Sequence, residues 1–206
     1  MLIEVLGLLS LGFLVGLSGA IIPGPLLAFT VLDTSKKQKI TAHIIIFGHV
    51  VWELGIILLI LVGFGYLLIN NKWIVFLIGG VVLAIMGTIM ILGKGGEIRM
   101  KSSRVDSSFV GGIFYTAFNP SQPAWWATAG LALLITGLEV LGIAGVILVT
   151  FGHWLSDFAY YLLVSFIIHR HEEFINPRQR QLTLILGAFL LILGIYFLIV
   201  SFDGLG

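Results

Sequence analysis

The sequence predicts an all-α membrane protein of six transmembrane helices, arranged as two inverted three-helix repeats with helices one and four broken. Three observations predict it. Of the 206 residues, 59% are hydrophobic and 10% charged, and the mean hydropathy of +1.13 lies far outside the range of soluble domains. Six apolar stretches reach the ~20 residues that a spanning helix needs. One polar motif then occurs twice, about a hundred positions apart.

The first stretch, roughly residues 5 to 32, reads as a span rather than a cleaved leader: Glu4 stands where a basic segment belongs, and Pro23-Gly24-Pro25 is a poor cleavage context. It is interrupted at IIPGPLL, where two prolines within three residues remove two backbone donors. The second and third stretches cover residues 40 to 69 and 73 to 93. A polar segment, GKGGEIRMKSSRVDSS, follows. The fourth, 109 to 136, is interrupted in the same manner at FNPSQPAWW; the fifth and sixth cover 138 to 168 and 181 to 202. The domain division is therefore residues 1–93 as the first repeat, 94–108 as a cytoplasmic linker and 109–206 as the second repeat. Continuous rather than alternating hydrophobicity argues against a β-barrel.

Charge sets the orientation. The loops after spans one, three and five carry Lys36, Lys37, Lys39, Lys94, Arg99, Lys101, Arg104, Arg170, Arg178 and Arg180, whereas the opposite face has Lys72 alone. By the positive-inside rule those loops are cytoplasmic, both termini are extracytoplasmic, and the chain is a multi-pass protein of the plasma membrane. The balanced net charge of +1 gives nucleic acid no footprint. The absence of cysteine removes thiol chemistry and thiolate metal sites.

The duplicated motif is FGHVVWE at residues 47–53 and FGHWLSD at 151–157. At an offset of 104, Phe47, Gly48, His49, Glu53, Leu58 and Leu59 align with Phe151, Gly152, His153, Asp157, Leu162 and Leu163. A weaker echo aligns Ala20 and Pro23 with Ala117 and Pro120 at an offset of 97. Each half has an odd number of spans, so the second crosses in the opposite sense. That architecture places a binding site near the midplane, between the halves. Broken membrane helices are tolerated where they line a cavity, and a helix restarting after the break presents its partially positive amide end to an anion.

A six-span chain of this length with PGP in span one and Asn-Pro in span four resembles the LysE/RhtB family of amino-acid exporters. The resemblance implies a secondary exporter of amino acids or related small metabolites, working against protons, and it carries Pro23, Gly24, Pro25, Asn119 and Pro120 over as motif residues. The family commonly has Lys after Asn-Pro; here Ser121 occupies that position, so no role of that lysine transfers.

The candidate substrate site is accordingly Pro23, Gly24, Pro25, Asn119, Pro120 and Gln122. Glu53 and Asp157 are the acids deep in the spans, where one Asp costs roughly 2.5–3.5 kcal/mol even on lenient scales. His49 and His153 precede them by four residues, on the same helix face. These four residues are assigned to proton coupling or cation binding, against the alternative of neutral pairs serving as interhelical glue. Because its span adjoins PGP, Glu53 is expected to be the coupling residue.

The expected partners are a small amino acid or similar zwitterion, protons and the lipid bilayer, with no catalytic residue, no organic cofactor and no resident metal. A divalent-cation exporter is the alternative, since two His and two acids, if convergent, form a first shell. An intramembrane hydrolase built on Ser18 of GLSG is a remote third reading. The same glycines read as small-residue packing stripes, Gly12-Gly16-Gly19-Ala20 and Gly80-Ala84-Gly87, compatible with a monomer or a homodimer.

Overall fold

The computed structural model describes residues 2–64, 72–93, 107–119 and 121–203. Among them the structure is helical throughout, with no strand. The helices are α1 (Leu2–Ala20), α2 (Pro25–Lys37), α3 (Ala42–Leu59), α4 (Lys72–Leu92), α5 (Ser107–Ala117), α6 (Ser121–Trp125), α7 (Leu131–Arg170), α8 (Glu172–Ile175) and α9 (Gln179–Asp203), with π-turns at Ile60–Phe64 and Trp126–Gly130. The segments Leu2–Ala20, Ala42–Gly63, Trp126–Arg170 and Arg180–Phe202 are long and apolar enough to cross a bilayer, and Phe76–Leu92 and Ser108–Ala117 are shorter apolar helices. Most of the expected 94–108 linker and of the loop between the second and third stretches lies outside the described residues.

The first stretch breaks where the prolines demand it. α1 stops at Ala20, and α2 restarts with Pro25 in its first turn, where a missing N–H costs nothing. The fourth breaks between Ala117 and Ser121. The fifth departs from expectation in where it starts. Trp126–Arg170, at 45 residues, would be about 67 Å long as one straight helix, twice the hydrocarbon thickness. It folds back instead at Leu141 and Gly142, where φ is 60° at the glycine, a value that a side chain resists. Gly137, expected at the turn, is helical and packs against Gly145 across the hairpin.

Close contacts between backbones hold the helices in pairs. In α3, Gly48 lies against the Phe109 carbonyl and the Ile113 amide of α5, and Gly112 of α5 lies against the Ile45 carbonyl. In the second arm of α7, Gly152 lies against the Leu9 carbonyl and the Phe13 amide of α1, and Gly12 of α1 lies against the Val149 carbonyl. These contacts correspond at offsets of 104 for α3 with α7 and 100 for α1 with α5, so the packing register of spans one and four is 100 rather than the 97 of the weak sequence echo. α4 pairs with α9, Gly80 meeting Gly194 and Gly87 meeting Gly187. Lipid-like surroundings supply no hydrophobic drive between helices, so close approach at small residues is what binds them. The small-residue stripes at Gly12, Gly16, Gly80 and Gly87 are thus used within one chain.

Arg180, at the start of α9, donates to the carbonyls of Met90, Ile91 and Gly93 and so caps the C-terminal end of α4. A buried polar clamp joins α2 to its neighbours: Thr34 bonds Thr41 at 3.0 Å and Ser165 at 2.8 Å, and Ser108 donates to Asp33, which Lys37 also meets at 3.3 Å. Large apolar side chains such as Phe47, Val51, Leu54 and Leu58 point outward along α3, as a lipid-facing surface requires.

Candidate functional site

His49 and Glu53 share one face of α3 because they are four residues apart, and His153 and Asp157 share one face of α7 for the same reason. Sequence spacing pairs each histidine with its own acid; the fold brings the two pairs together. All four side chains are buried, Glu53 the most at 2% exposed, and their inward-facing ligand atoms lie within 4.8 Å of one another. His49 Nε2 is 3.2 Å from Glu53 Oε2 and 3.4 Å from Asp157 Oδ2; His153 Nε2 is 3.2 Å and 3.3 Å from the same two atoms. Each histidine therefore bridges both acids.

The two acids are held differently. Glu53 accepts from Trp126 Nε1 at 2.8 Å, Trp154 Nε1 at 3.0 Å and Gln122 Nε2 at 3.3 Å, and His153 Nε2 is within hydrogen-bonding distance. Three N–H donors from uncharged side chains suit the acceptor oxygens of a carboxyl group. Asp157 Oδ2 has no aligned hydrogen bond. The histidines also differ. Thr116 donates its hydroxyl hydrogen to the Gly112 carbonyl at 2.7 Å, so at 3.0 Å from His49 Nδ1 its oxygen is the acceptor, and Nδ1 carries the hydrogen. His153 Nδ1 has no such partner and rests against Gly16 of α1.

The helix breaks open onto the same place. A cavity of ≈ 80 Å³ is lined by the four cluster residues together with Gly24, Asn119 and Gln122. A single water needs only about 10–15 Å³ on this measure, so the cavity has room for a small solute. Gly24 is the N-cap of α2 and itself supplies no side-chain hydrogen bond to the first amides of that helix. Gly24 also approaches the Asn119 side-chain amide, so the two breaks meet. Pro25 is buried and Pro23 exposed. Pro120 lies outside the described residues.

Thr116, Trp126 and Trp154 complete the site around the expected residues. Trp126 enters the core from the π-turn Trp126–Gly130, a distortion that re-aims side chains, and Trp125 stacks on His153 with ring centroids 4.8 Å apart. The tryptophans were visible in the sequence as neighbours of the motif and of the second break. Thr116 carried no signal, being one hydroxyl in an apolar helix. Ser18 is exposed and donates to the Val15 carbonyl of its own helix, whereas a hydrolase nucleophile is hydrogen-bonded to a base.

A family model described as LysE type translocator matches residues 17–201 of the chain. No curated protein and no solved structure matches.

Proposed function

The chain belongs to the LysE type translocator family, and from that premise we propose that it exports a small amino acid or related zwitterion through the plasma membrane, driven by proton exchange. As a transporter-family, multi-pass membrane protein it acts on a small-molecule substrate, and the observation that carries the finer reading is that one cavity receives both helix breaks and the four-residue histidine–acid cluster. A zwitterion needs an anion site and a cation site a few ångströms apart. The N-terminal end of α2 and the amides of Asn119 and Gln122 serve the carboxylate; Glu53, oriented by its indole and amide donors, serves the ammonium. Asp157, which lacks such donors, takes the proton. This reverses the expected ranking, which favoured Glu53 on proximity to PGP alone.

The corresponding glycine contacts of α3 with α5 and α7 with α1 support reading residues 1–93 and 109–206 as inverted repeats joined by the 94–108 linker. Thr116 and Gly16 occupy equivalent places beside His49 and His153, so equivalent positions have come to differ in chemistry. The distribution of basic residues among the loops supports the reading that both termini lie outside the cell. The direct test is reconstitution: proteoliposomes should accumulate a labelled amino acid against its gradient only when a pH difference is imposed. Equal accumulation with and without that difference would remove proton coupling.

Topology has its own measurement. The chain lacks cysteine, so Ser103→Cys and Asn71→Cys each give a single label site. An impermeant maleimide should reach Asn71→Cys in intact cells and Ser103→Cys only after the membrane is opened; the reverse pattern would invert the orientation.

Replacing Pro23 and Pro25 together by Ala is expected to let α1 and α2 join, since each proline disfavours helix interior by about 3 kcal/mol. Thermal stability should rise or hold while transport falls at least tenfold. Undiminished transport by the double variant would exclude the break as a substrate element.

A further inference from the structure

We infer that the quartet His49, Glu53, His153 and Asp157 is a binding site for one divalent first-row transition-metal ion of the zinc class. The four N···O separations across the cluster are 3.2, 3.4, 3.2 and 3.3 Å. A tetrahedral ion bonded to nitrogen and oxygen at about 2.0–2.1 Å holds its ligands about 3.3–3.4 Å apart. Four of the six edges of such a tetrahedron thus have the expected length, and the other two separations, histidine to histidine and acid to acid, lie within 4.8 Å. Hydrogen bonding explains the cluster less well: His49 Nε2 and Asp157 Oδ2 approach their neighbours to 3.2–3.4 Å, yet neither makes an aligned hydrogen bond. Their atoms converge on a shared centre rather than on each other.

The surroundings fit an ion as well. His49 Nδ1–H is committed to Thr116, which in turn donates to the Gly112 carbonyl. That leaves Nε2 as the coordinating atom and reproduces the outer-shell partner that metal-bound histidines usually have. Glu53 is oriented by Trp126 and Trp154. Two carboxylates balance a divalent charge in a buried place where an unbalanced one would be costly. Two imidazoles and two carboxylates without a sulfur ligand suit Zn²⁺, Co²⁺, Mn²⁺ or Fe²⁺ over Cu⁺. Four protein ligands are too few for the six to eight oxygens that Ca²⁺ takes. An ion at this centre would occupy the atoms that the proposed function gives to the proton, so the two occupants exclude each other.

Metal binding here depends on these side chains alone and holds whatever solute is exported. The purified full-length protein, titrated with Co²⁺, should show the intense visible absorption of tetrahedral cobalt at one ion per chain, displaced by Zn²⁺ and not by Mg²⁺ or Ca²⁺. Asp157→Asn and His153→Gln should weaken binding by more than the roughly 10–100-fold that loss of an outer-shell partner costs, and Thr116→Val by about that amount. His169→Ala with His171→Ala controls for the exposed histidine-rich surface of the α7–α8 corner and should change nothing. A wild-type protein that takes up no Co²⁺ or Zn²⁺ overturns the site without needing any variant to fold. So does binding that survives both cluster substitutions or is lost with the His169/His171 pair. Absent metal binding with intact proton-driven transport sinks this site alone; metal binding without amino-acid transport sinks the proposed function alone.

Discussion

Asp157→Asn is expected to reduce proton-driven accumulation to the level of protein-free liposomes while leaving exchange of labelled for unlabelled substrate within about tenfold of wild type. Asparagine keeps the size of the side chain and removes its titration. Asp157 is 3% exposed and its Oδ2 has no aligned hydrogen bond, so the substitution removes none at that atom, although it does end the ion pairing with His49 and His153. Exchange requires no net proton movement, which is why it survives. Glu53→Gln should behave differently. Its new amide would meet the indole N–H groups of Trp126 and Trp154, which now donate to both carboxylate oxygens. Each donor left without an acceptor costs roughly 1–3 kcal/mol, so the variant should melt lower and lose exchange together with accumulation. The measurement is reconstituted uptake with and without an imposed pH gradient, alongside His49→Gln and His153→Gln. Normal accumulation by Asp157→Asn would end its role as the proton carrier, and equal behaviour of the two acid variants would end the division of labour between them.

Gly112→Leu and Gly48→Leu are expected to abolish recovery of folded, monodisperse protein. The α3–α5 interface is made by these two glycines against the carbonyls of Ile45 and Phe109. A side chain there meets backbone, which cannot swing aside as a flexible side chain does. Overpacking a well-packed interior already costs about 1–3 kcal/mol when side chains can yield; here the helices must separate, and His49 moves with them away from Thr116. Gly7→Ala and Gly55→Ala are the contrast. Nothing lies within 4 Å of a Cβ at either position, so the gain in helix propensity, about 1 kcal/mol, should show as unchanged or higher stability. Size-exclusion profiles and melting curves in detergent report both outcomes. Recovery of Gly112→Leu at wild-type levels would show that the helices are not held by close backbone contact.

The chain's membrane character, the places where helices one and four break and the two histidine–acid pairs that the fold gathers into one cluster were all legible before any coordinates. Each is a local property: apolar length determines whether a helix can span, proline removes a donor wherever it stands, and a buried acid is conspicuous in an apolar helix. Helical spacing also paired His49 with Glu53 and His153 with Asp157. What spacing could not provide is the meeting of α3 with the second arm of α7. In a membrane protein most helix faces are apolar, so hydrophobic periodicity does not mark the face that will be covered. The choice falls to glycines that admit a neighbouring backbone, and one glycine among 26 looks like any other. Only the tertiary structure therefore turned two histidine–acid pairs into one four-centred site. It also supplied Thr116 to one histidine and not the other, and gave the indole donors to Glu53 and not to Asp157. Those differences arise from which side chains lie across an interface, a relation between distant segments that no local pattern encodes.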